Sequence, residues 1–388
     1  MAKPKLVRIT TVSLSFKYLL GGQPEFMDQY FEVWAVSSPG PELTELRQKG
    51  LKTMPIPMTR KITPLADLRA LWWLIRFFRE QRPEIVHTHT PKAGLLGMLA
   101  AYLAGVKIRL HTVAGIPWME RKGVEKRLLM GIERLTYSLA TKVYPNSQGL
   151  SEFIQSHQLC PDYKLGFIAN GSSNGINIGH YSRNESISKE SELIKQALQL
   201  TKAQTVFLFV GRIVRDKGIH ELVEAFERVH AIHPTATLVL VGPFEDHLDP
   251  IRDDIKRRIK QHVAMLHAGF IEDIRPYLAL ADVFVLPTYR EGFPNVLLQA
   301  GCFDLPCIAT RINGCDEIIR EAENGLLVEP KSVEQLTAAM LSLADNPSLR
   351  QAMGNNARQM VVDRFDQQVV WKGLLNEYRK LGGFEHAN

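Results

Sequence analysis

Four cysteines in 388 residues, Cys160, Cys302, Cys307 and Cys315, are too few and too scattered for a disulfide frame. None forms a CxxC pair and no histidines cluster beside them, so they read as reduced structural thiols and not as a zinc site. Long apolar runs are missing as well. Stretches such as Val206–Val210 and Val283–Pro287 are strand-sized, far short of the ~20 residues that span a bilayer. Met1 to Phe16 is basic, but Arg8 and Thr10–Thr11 interrupt any signal-peptide core and no small-residue cleavage site follows. The phosphate-binding fingerprints GxGxxG and GxxxxGKS/T are absent, which argues against a nicotinamide oxidoreductase and a P-loop nucleotide hydrolase. There is no aromatic-studded sheet module and no recognition-helix motif, so nucleic acid is not an expected partner.

What is present is ordinary globular material, 45% apolar and 23% charged. At ~100–200 residues per domain the length calls for two or three domains. The net charge of +6 is unevenly placed. Residues 1–170 hold 23 Lys and Arg against 13 Asp and Glu, whereas residues 171–388 hold 24 against 28. The basic half suits an anionic partner, with a solvated surface as the competing reading.

Strand-like runs fall at Leu6–Val12, Phe31–Ser37, Leu51–Pro57, Ile85–Thr88, Lys107–Val113, Lys142–Pro145 and Lys164–Ile168. Helical patterns lie between them. In Pro64–Gln81 the apolar residues Leu65, Leu68, Leu71, Trp72, Ile75 and Phe78 keep a 3.6-residue period. Lys92–Ala104 and Glu125–Ala140 are further helices. After the turn-rich Asn170–Gly175 and a polar helical stretch over Arg183–Lys202, the alternation restarts. Strands are expected at Val206–Val210, Thr237–Val241, Met265–Gly269, Val283–Leu286, Pro306–Thr310 and Leu326–Val328. Helices are expected at Lys217–His233, Asp249–His262, Asp273–Ala281, Asn295–Phe303, Val333–Ala344 and Pro347–Phe365. Such alternation predicts an α/β chain of two Rossmann-like doubly wound domains, residues 1–170 and 171–365, facing across a cleft that is the default ligand site. Residues 366–388 form a C-terminal helix expected to pack back toward the first domain.

Two runs carry the chemistry. In the first, Tyr289 to Ala300 (YREGFPNVLLQA), Glu291 sits in a strand-to-helix loop and Gly292 permits a tight backbone. Pro294 suits the first turn of the next helix, which aims the amides around Phe293, Asn295 and Val296 outward as anion donors. Gln299 lies one turn further on. In the second run, Phe209 to Gly218 (FVGRIVRDKG), Arg212 and Lys217 flank a loop that can hold a diphosphate from two sides.

With these runs in order, followed by GCDEI at Gly314–Ile318 and ENGLLV at Glu323–Val328, the chain resembles the family 4 retaining glycosyltransferases of GT-B fold. The resemblance covers nearly the whole chain and is strongest in the second half. It implies a donor site of Gly211, Arg212, Lys217, Glu291, Gly292, Phe293, Asn295, Val296 and Gln299. In it Arg212 and Lys217 stabilise the leaving diphosphate and Glu291 contacts the transferred sugar. The family usually carries a second glutamate at the ribose-binding position that Gln299 occupies here.

In the first half, Leu20 to Met27 (LGGQPEFM) resembles the family's glycine loop, which makes Gly22 a donor-phosphate candidate; an ordinary strand-to-helix turn reads equally well. His87 to Gly94 (HTHTPKAG) is similar to runs in relatives acting on lipid-linked sugars, so His89 and Lys92 are acceptor candidates. Two histidines two apart with no nearby carboxylate are poor metal ligands. Family members often have a histidine where Ala114 falls here. His111, three residues earlier, is either its catalytic replacement or a core histidine.

Trp118 to Arg134 joins Trp118 and Met119 to Arg121, Lys122, Lys126, Arg127 and Arg134, a composition suited to an acidic bilayer surface or to a solvated basic helix. In Pro64–Gln81 a buried helix face is favoured, with Trp73 and Phe77 left over. The implied activity is transfer of a hexose or N-acetylhexosamine from a nucleotide diphosphate, UDP first, to a polyprenyl-diphosphate-linked saccharide in capsule, O-antigen or exopolysaccharide synthesis. The expected location is cytoplasmic, on the inner face of the membrane. No metal motif is called for and no cofactor is expected; Asp253 and Asp254 read as surface. Three rivals remain: a same-fold transferase with a soluble acceptor, a nucleotide-sugar-binding protein without transfer, and a sugar-nucleotide epimerase.

Overall fold

Val-, Ile- and Leu-rich segments that are buried along most of their length cannot lie at a wet sheet surface; helices must cover both faces. That is what the computed structural model contains, over residues 3–116, 118, 123–201, 204–247 and 249–384. The chain forms two compact units, Met1–Gly175 with Gln367–Asn388, and Ile176–Asp366.

The first unit runs β1 (Lys5–Ile9), α1 (Leu14–Tyr18), α2 (Gln23–Asp28), β2 (Glu32–Ser37), α3 (Pro41–Gln48), β3 (Lys52–Pro55), α4 (Pro64–Gln81), β4 (Ile85–Thr88), α5 (Pro91–Leu103), β5 (Ile108–Val113), α6 (Gly123–Leu139), β6 (Lys142–Pro145) and α7 (Gln148–Ser156). The second runs α8 (Glu185–Ala197), β7 (Val206–Val210), α9 (Ile219–Ile232), β8 (Thr237–Val241), α10 (Asp253–Gln261), β9 (Met265–Gly269), α11 (Arg275–Leu280), β10 (Val283–Leu286), α12 (Asn295–Cys302), β11 (Cys307–Thr310), α13 (Cys315–Ile318), β12 (Gly325–Val328), α14 (Val333–Asp345) and α15 (Pro347–Phe365). A last helix, α16 (Gln367–Gly382), returns to the first unit.

Each sheet has six strands, ordered β3-β2-β1-β4-β5-β6 and β12-β11-β10-β7-β8-β9. Within each unit this is one doubly wound order, and the neighbouring strands pair in parallel. Side chains alternate across the first sheet. Val7, Ile9, Val36 and Val86 join one core with α4 and α5, while Leu6, Val33, Ala35 and Ile85 join another with Leu374, Leu375 and Tyr378 of α16. One core fills the second unit.

Helix starts follow local chemistry. Pro64, Pro91 and Pro347 open α4, α5 and α15. The side chains of Ser147, Asn184, Ser332 and Asn346 cap α7, α8, α14 and α15.

Two expectations need correction. Lys164–Ile168 is not a strand. Lys164 closes a 3₁₀ turn over Asp162–Lys164, and the segment touches the sheet only as a bridge between Val143 and Leu165. Ala169, Gly171 and Ser172 then take left-handed backbone angles, which end any extended run. On α4, Phe77 is buried and Trp73 half-buried; the aromatic left outside is Trp72.

Candidate functional site

In the second unit β7 and β10 are neighbours, and the sheet continues in opposite directions from them. Their carboxyl-end loops therefore part at a topological switch point, where open α/β sheets bind ligands. After β7 the chain makes a 3₁₀ turn at Arg215–Lys217 and enters α9 through Gly218, whose φ is 69°. A Cβ on Gly218 would lie 2.0 Å from the Pro287 carbonyl oxygen, so only glycine lets this turn close on the end of β10.

Hydrogen bonds join the two loops. Tyr289 N–H donates to the Asp216 carbonyl at 2.8 Å, and the Arg290 guanidinium pairs with the Asp216 carboxylate at 2.9 Å. Lys217 Nζ then meets Glu291 Oε1 at 2.5 Å, with the two side chains only 15% and 18% exposed. Asn313 Nδ2 donates to the Glu291 and Gly292 carbonyls at 3.2 Å, holding the EGFPN loop from its far side.

Arg212 belongs to the same β7–α9 loop but has a different partner, Glu245 at 2.9 Å, and is the more exposed cation. Pro294 caps α12 from just outside the helix and accepts the Leu297 N–H at 3.0 Å. The Asn295 and Val296 amides stand ahead of that bond at the positive end of the helix. Phe293 is half-buried and packs its ring 5.4 Å from Phe365 at the edge of the core. Gln299 Nε2 donates to Tyr181 Oη at 2.8 Å, which fixes its amide orientation. Glu245, Asn313 and Tyr181 carried no signal in the sequence reading; each is a polar residue outside the two motif runs.

In the first unit the switch point lies between β1 and β4. Gly22 caps α2 with φ 78°, and a Cβ there would meet the Trp371 ring at 2.7 Å. Packing against Trp371 thus accounts for this glycine. Lys92 pairs with Asp67 at 2.7 Å and is mostly buried. His111 lies under α5, where its Cε1 would be 2.5 Å from a Cβ on Gly94, and Thr88 Oγ1 is 2.7 Å from its Nδ1. Burial pulls its pKa down to about 4. The ring is thus buried among strand and helix, its surroundings those of a core histidine.

His87 and His89 are also buried, and desolvation holds both well below the usual histidine range, helped by the charge of Arg8. His87 is fully engaged, with Nδ1 2.6 Å from Tyr378 Oη and Nε2 2.8 Å from Thr112 Oγ1. His89 lines a narrow pocket with Gln23, Thr112, Asn146, Ser172 and Ser173. Arg8, fully buried, holds two of these lining residues, donating from Nε to His89 Nε2 at 2.9 Å and from Nη2 to Gln23 Oε1. The sequence reading took Arg8 only as a break in an apolar run. A lone arginine among buried β1 residues was the available signal.

Trp118 is fully buried, its ring 5.5 Å from Phe153, so its expected contact with a bilayer is corrected. Met119, Arg121 and Lys122 lie outside the described residues. On α6 the exposed apolar residues are Val124, Leu128 and Leu135, which line up at helical spacing beside Arg127 and Arg134. No helix among the described residues is long and apolar enough to cross a membrane.

Residues 190–360 match the family model of the Glycosyl transferases group 1, and residues 26–171 match that of the Glycosyl transferase 4-like domain. The chain is 31% identical over 379 residues to the capsular polysaccharide biosynthesis glycosyltransferase CapM of Staphylococcus aureus, covering 97% of each chain. It is 26% identical to the UDP-Gal:alpha-D-GlcNAc-diphosphoundecaprenol alpha-1,3-galactosyltransferase of Escherichia coli, over 87% of this chain and 86% of that one. Among solved structures, HepE of Anabaena in complex with UDP and glucose superposes with a TM-score of 0.77 at 19% identity, over 97% of this chain and all of that one. A glycosyltransferase of Rickettsia africae does so at 0.80 and 17% identity, over the full length of both. The fold is GT-B.

Proposed function

The chain belongs to the group 1 glycosyl transferases, and on that footing we propose that it transfers a hexose or N-acetylhexosamine from UDP, with retention of configuration, to a polyprenyl-diphosphate-linked saccharide. The observation that carries the reading is the Lys217–Glu291 pair at the β7/β10 switch point, with the start of α12 beside it. Loss of UDP from the sugar builds negative charge on the departing diphosphate. Lys217, Arg212 and the first amides of α12 supply fixed positive potential for that charge, and preorganised electrostatics of this kind lower such barriers most. Glu291 accepts hydroxyls of the transferred sugar. Gln299 holds the ribose diol, accepting and donating through its amide.

Support for a lipid-linked acceptor comes from the Escherichia coli relative, whose name specifies a diphosphoundecaprenol acceptor, and from the capsule role in the name of CapM. The exposed α6 stripe of Val124, Leu128 and Leu135 with its arginines gives the protein a face for an anionic bilayer. Saturation-transfer NMR against a panel of nucleotide sugars tests the donor assignment. A UDP-sugar should give the strongest response, and the response should weaken in Lys217→Ala. A preference for GDP- or ADP-sugars, or an unchanged response in the variant, would contradict it.

A further inference from the structure

We propose that the narrow pocket lined by His89 and Gln23, the two partners of Arg8 in the first unit, takes an oxygen of a compact oxyanion, a phosphate or carboxylate carried by the acceptor; this rests on the reading of the protein as a glycosyltransferase. Arg8 lies on the α16 face of β1, is 0% exposed, and has no carboxylate partner among the described residues. Its bonded neighbours are His89 and Gln23, and its Nη1 has no partner. An unpaired buried charge is strongly unfavourable, so a charge in this position calls for an anion.

Among the described residues neither partner of Arg8 supplies one, and Glu377, which accepts from the pocket-lining Tyr144 at 2.8 Å, is bonded to neither Arg8 nor His89. Burial and the arginine's own charge keep His87 and His89 neutral, and burial raises the Tyr378 hydroxyl to about 12, so it stays protonated. The cluster therefore carries one uncompensated positive charge at neutral pH.

The donors are also arranged for an acceptor of hydrogen bonds. Arg8 Nε–H donates to His89 Nε2, so the proton of the neutral His89 ring sits on Nδ1. That Nδ1 is buried and has no partner, and His89 lines the pocket. Two unpartnered buried donors, Arg8 Nη1 and His89 Nδ1, thus belong to one cluster at one switch point. The pocket has room for about one water-sized group, enough for a single oxygen of a phosphate or carboxylate and far too little for a sugar ring.

At its rim Ser172 has a φ of 66°, a left-handed conformation uncommon for a residue with a side chain, and its N–H is pinned to the Asn146 carbonyl at 2.7 Å. Ser172 and Ser173 sit at the pocket edge, where their hydroxyls can complete an anion shell.

The test uses the full-length protein without nucleotide or acceptor, so it stands apart from the transferase reading. Inorganic phosphate and acetate are titrated separately at matched ionic strength, with sodium chloride as control, while the His89 ring nitrogens are followed by NMR. We expect one oxyanion to shift the His89 Nδ1 resonance saturably and to raise the ring's protonation midpoint. Chloride should do neither. Saturation by phosphate points to the acceptor's diphosphate, and saturation by acetate to an acidic sugar. Arg8→Gln should abolish the shift; Arg8→Lys, which keeps the charge if the glutamine variant fails to fold, should weaken it. In a transfer assay Arg8→Gln should raise the acceptor KM about thirtyfold or more, the usual effect of removing one partner of a buried charge pair, with the donor KM unchanged. No response to either oxyanion, an equal response to chloride, or an unaltered response in the Arg8 variants would overturn the proposal.

Discussion

Lys217 Nζ and Glu291 Oε1 stand 2.5 Å apart although 74 positions separate them in the chain, because adjacent parallel strands bring their two loops together. Neither residue reaches the other through its own loop alone. The pair depends on the tight turn at Gly218 and on the bonds from Tyr289 and Arg290 to Asp216.

If Lys217 neutralises the departing diphosphate, Lys217→Ala should lower kcat/KM by roughly 10²-fold or more, the scale of a transition-state charge stabiliser. Arg212→Ala should act in the same direction. Arg212 is more exposed and its partner Glu245 is separate, so the two losses should be measurable independently. Steady-state kinetics on variants with wild-type circular dichroism check this. Near-wild-type rates in both would remove the leaving-group assignment.

Gln299 gives a different pattern. A ribose contact is made equally in the ground and transition states, so Gln299→Ala should raise the donor KM more than it lowers kcat. Gln299→Glu should retain activity, since Tyr181 Oη can donate to a carboxylate in place of accepting from the amide. Tyr181→Phe should cost less than Gln299→Ala. A collapse of kcat with donor KM unchanged would mean that Gln299 takes part in chemistry.

Sedimentation with vesicles addresses the α6 face. Binding should require anionic lipid and fall as salt rises, with about 1 kcal/mol contributed by each Lys or Arg near the surface. Charge reversal at Lys126, Arg127 and Arg134 should release most of the protein. Serine at Val124, Leu128 and Leu135 should weaken binding even to anionic vesicles, whereas Trp118 should contribute nothing directly because it is buried. Equal binding by the wild type and the charge-reversed variant would return α6 to an ordinary solvated helix.

Stability should depend on pH through buried groups of the first unit. Burial raises Glu133 on α6 to about 7. The folded form therefore keeps a proton that the unfolded chain releases near pH 4.5, and stability falls as pH rises from there toward 7. Glu133→Gln should remove this slope and stabilise the protein at pH 8 by up to about 3 kcal/mol, at 1.36 kcal/mol per pKa unit. The histidines act in the opposite sense. With folded pKa values below 6.5, His87, His89 and His111 give stability that is complete above pH 6.5 and lost as pH falls through their folded values, about 4 for His111. Urea denaturation across this range should show a maximum, and a flat profile would contradict these burials.

Most of the architecture was legible in the sequence. Apolar runs placed β4, β6, β7, β8, β9 and β10 at their observed bounds, and the 3.6-residue period placed α4 and α15. Short or polar helices such as α1, α2, α3 and α7 were missed, because fewer than three turns carry too little periodicity. Glu291, Arg212 and Lys217 were found through their motif runs. Arg8 was not, since its meaning comes from the strand register that sets it beside His87 and from the pocket loop at Ser172, both long-range facts. Trp118 misled for a related reason: an aromatic residue in a basic loop looks exposed until Phe153 packs against it.

The most direct test is the stereochemistry of transfer. A UDP-α-sugar is incubated with the protein and a polyprenyl-diphosphate-linked saccharide, and the new glycosidic bond is read from its anomeric NMR coupling. The account predicts a lipid-linked α-glycoside, formed by wild type and lost in Lys217→Ala. A β-glycoside, transfer undiminished in the variant, or conversion of the donor with no glycoside formed would contradict it.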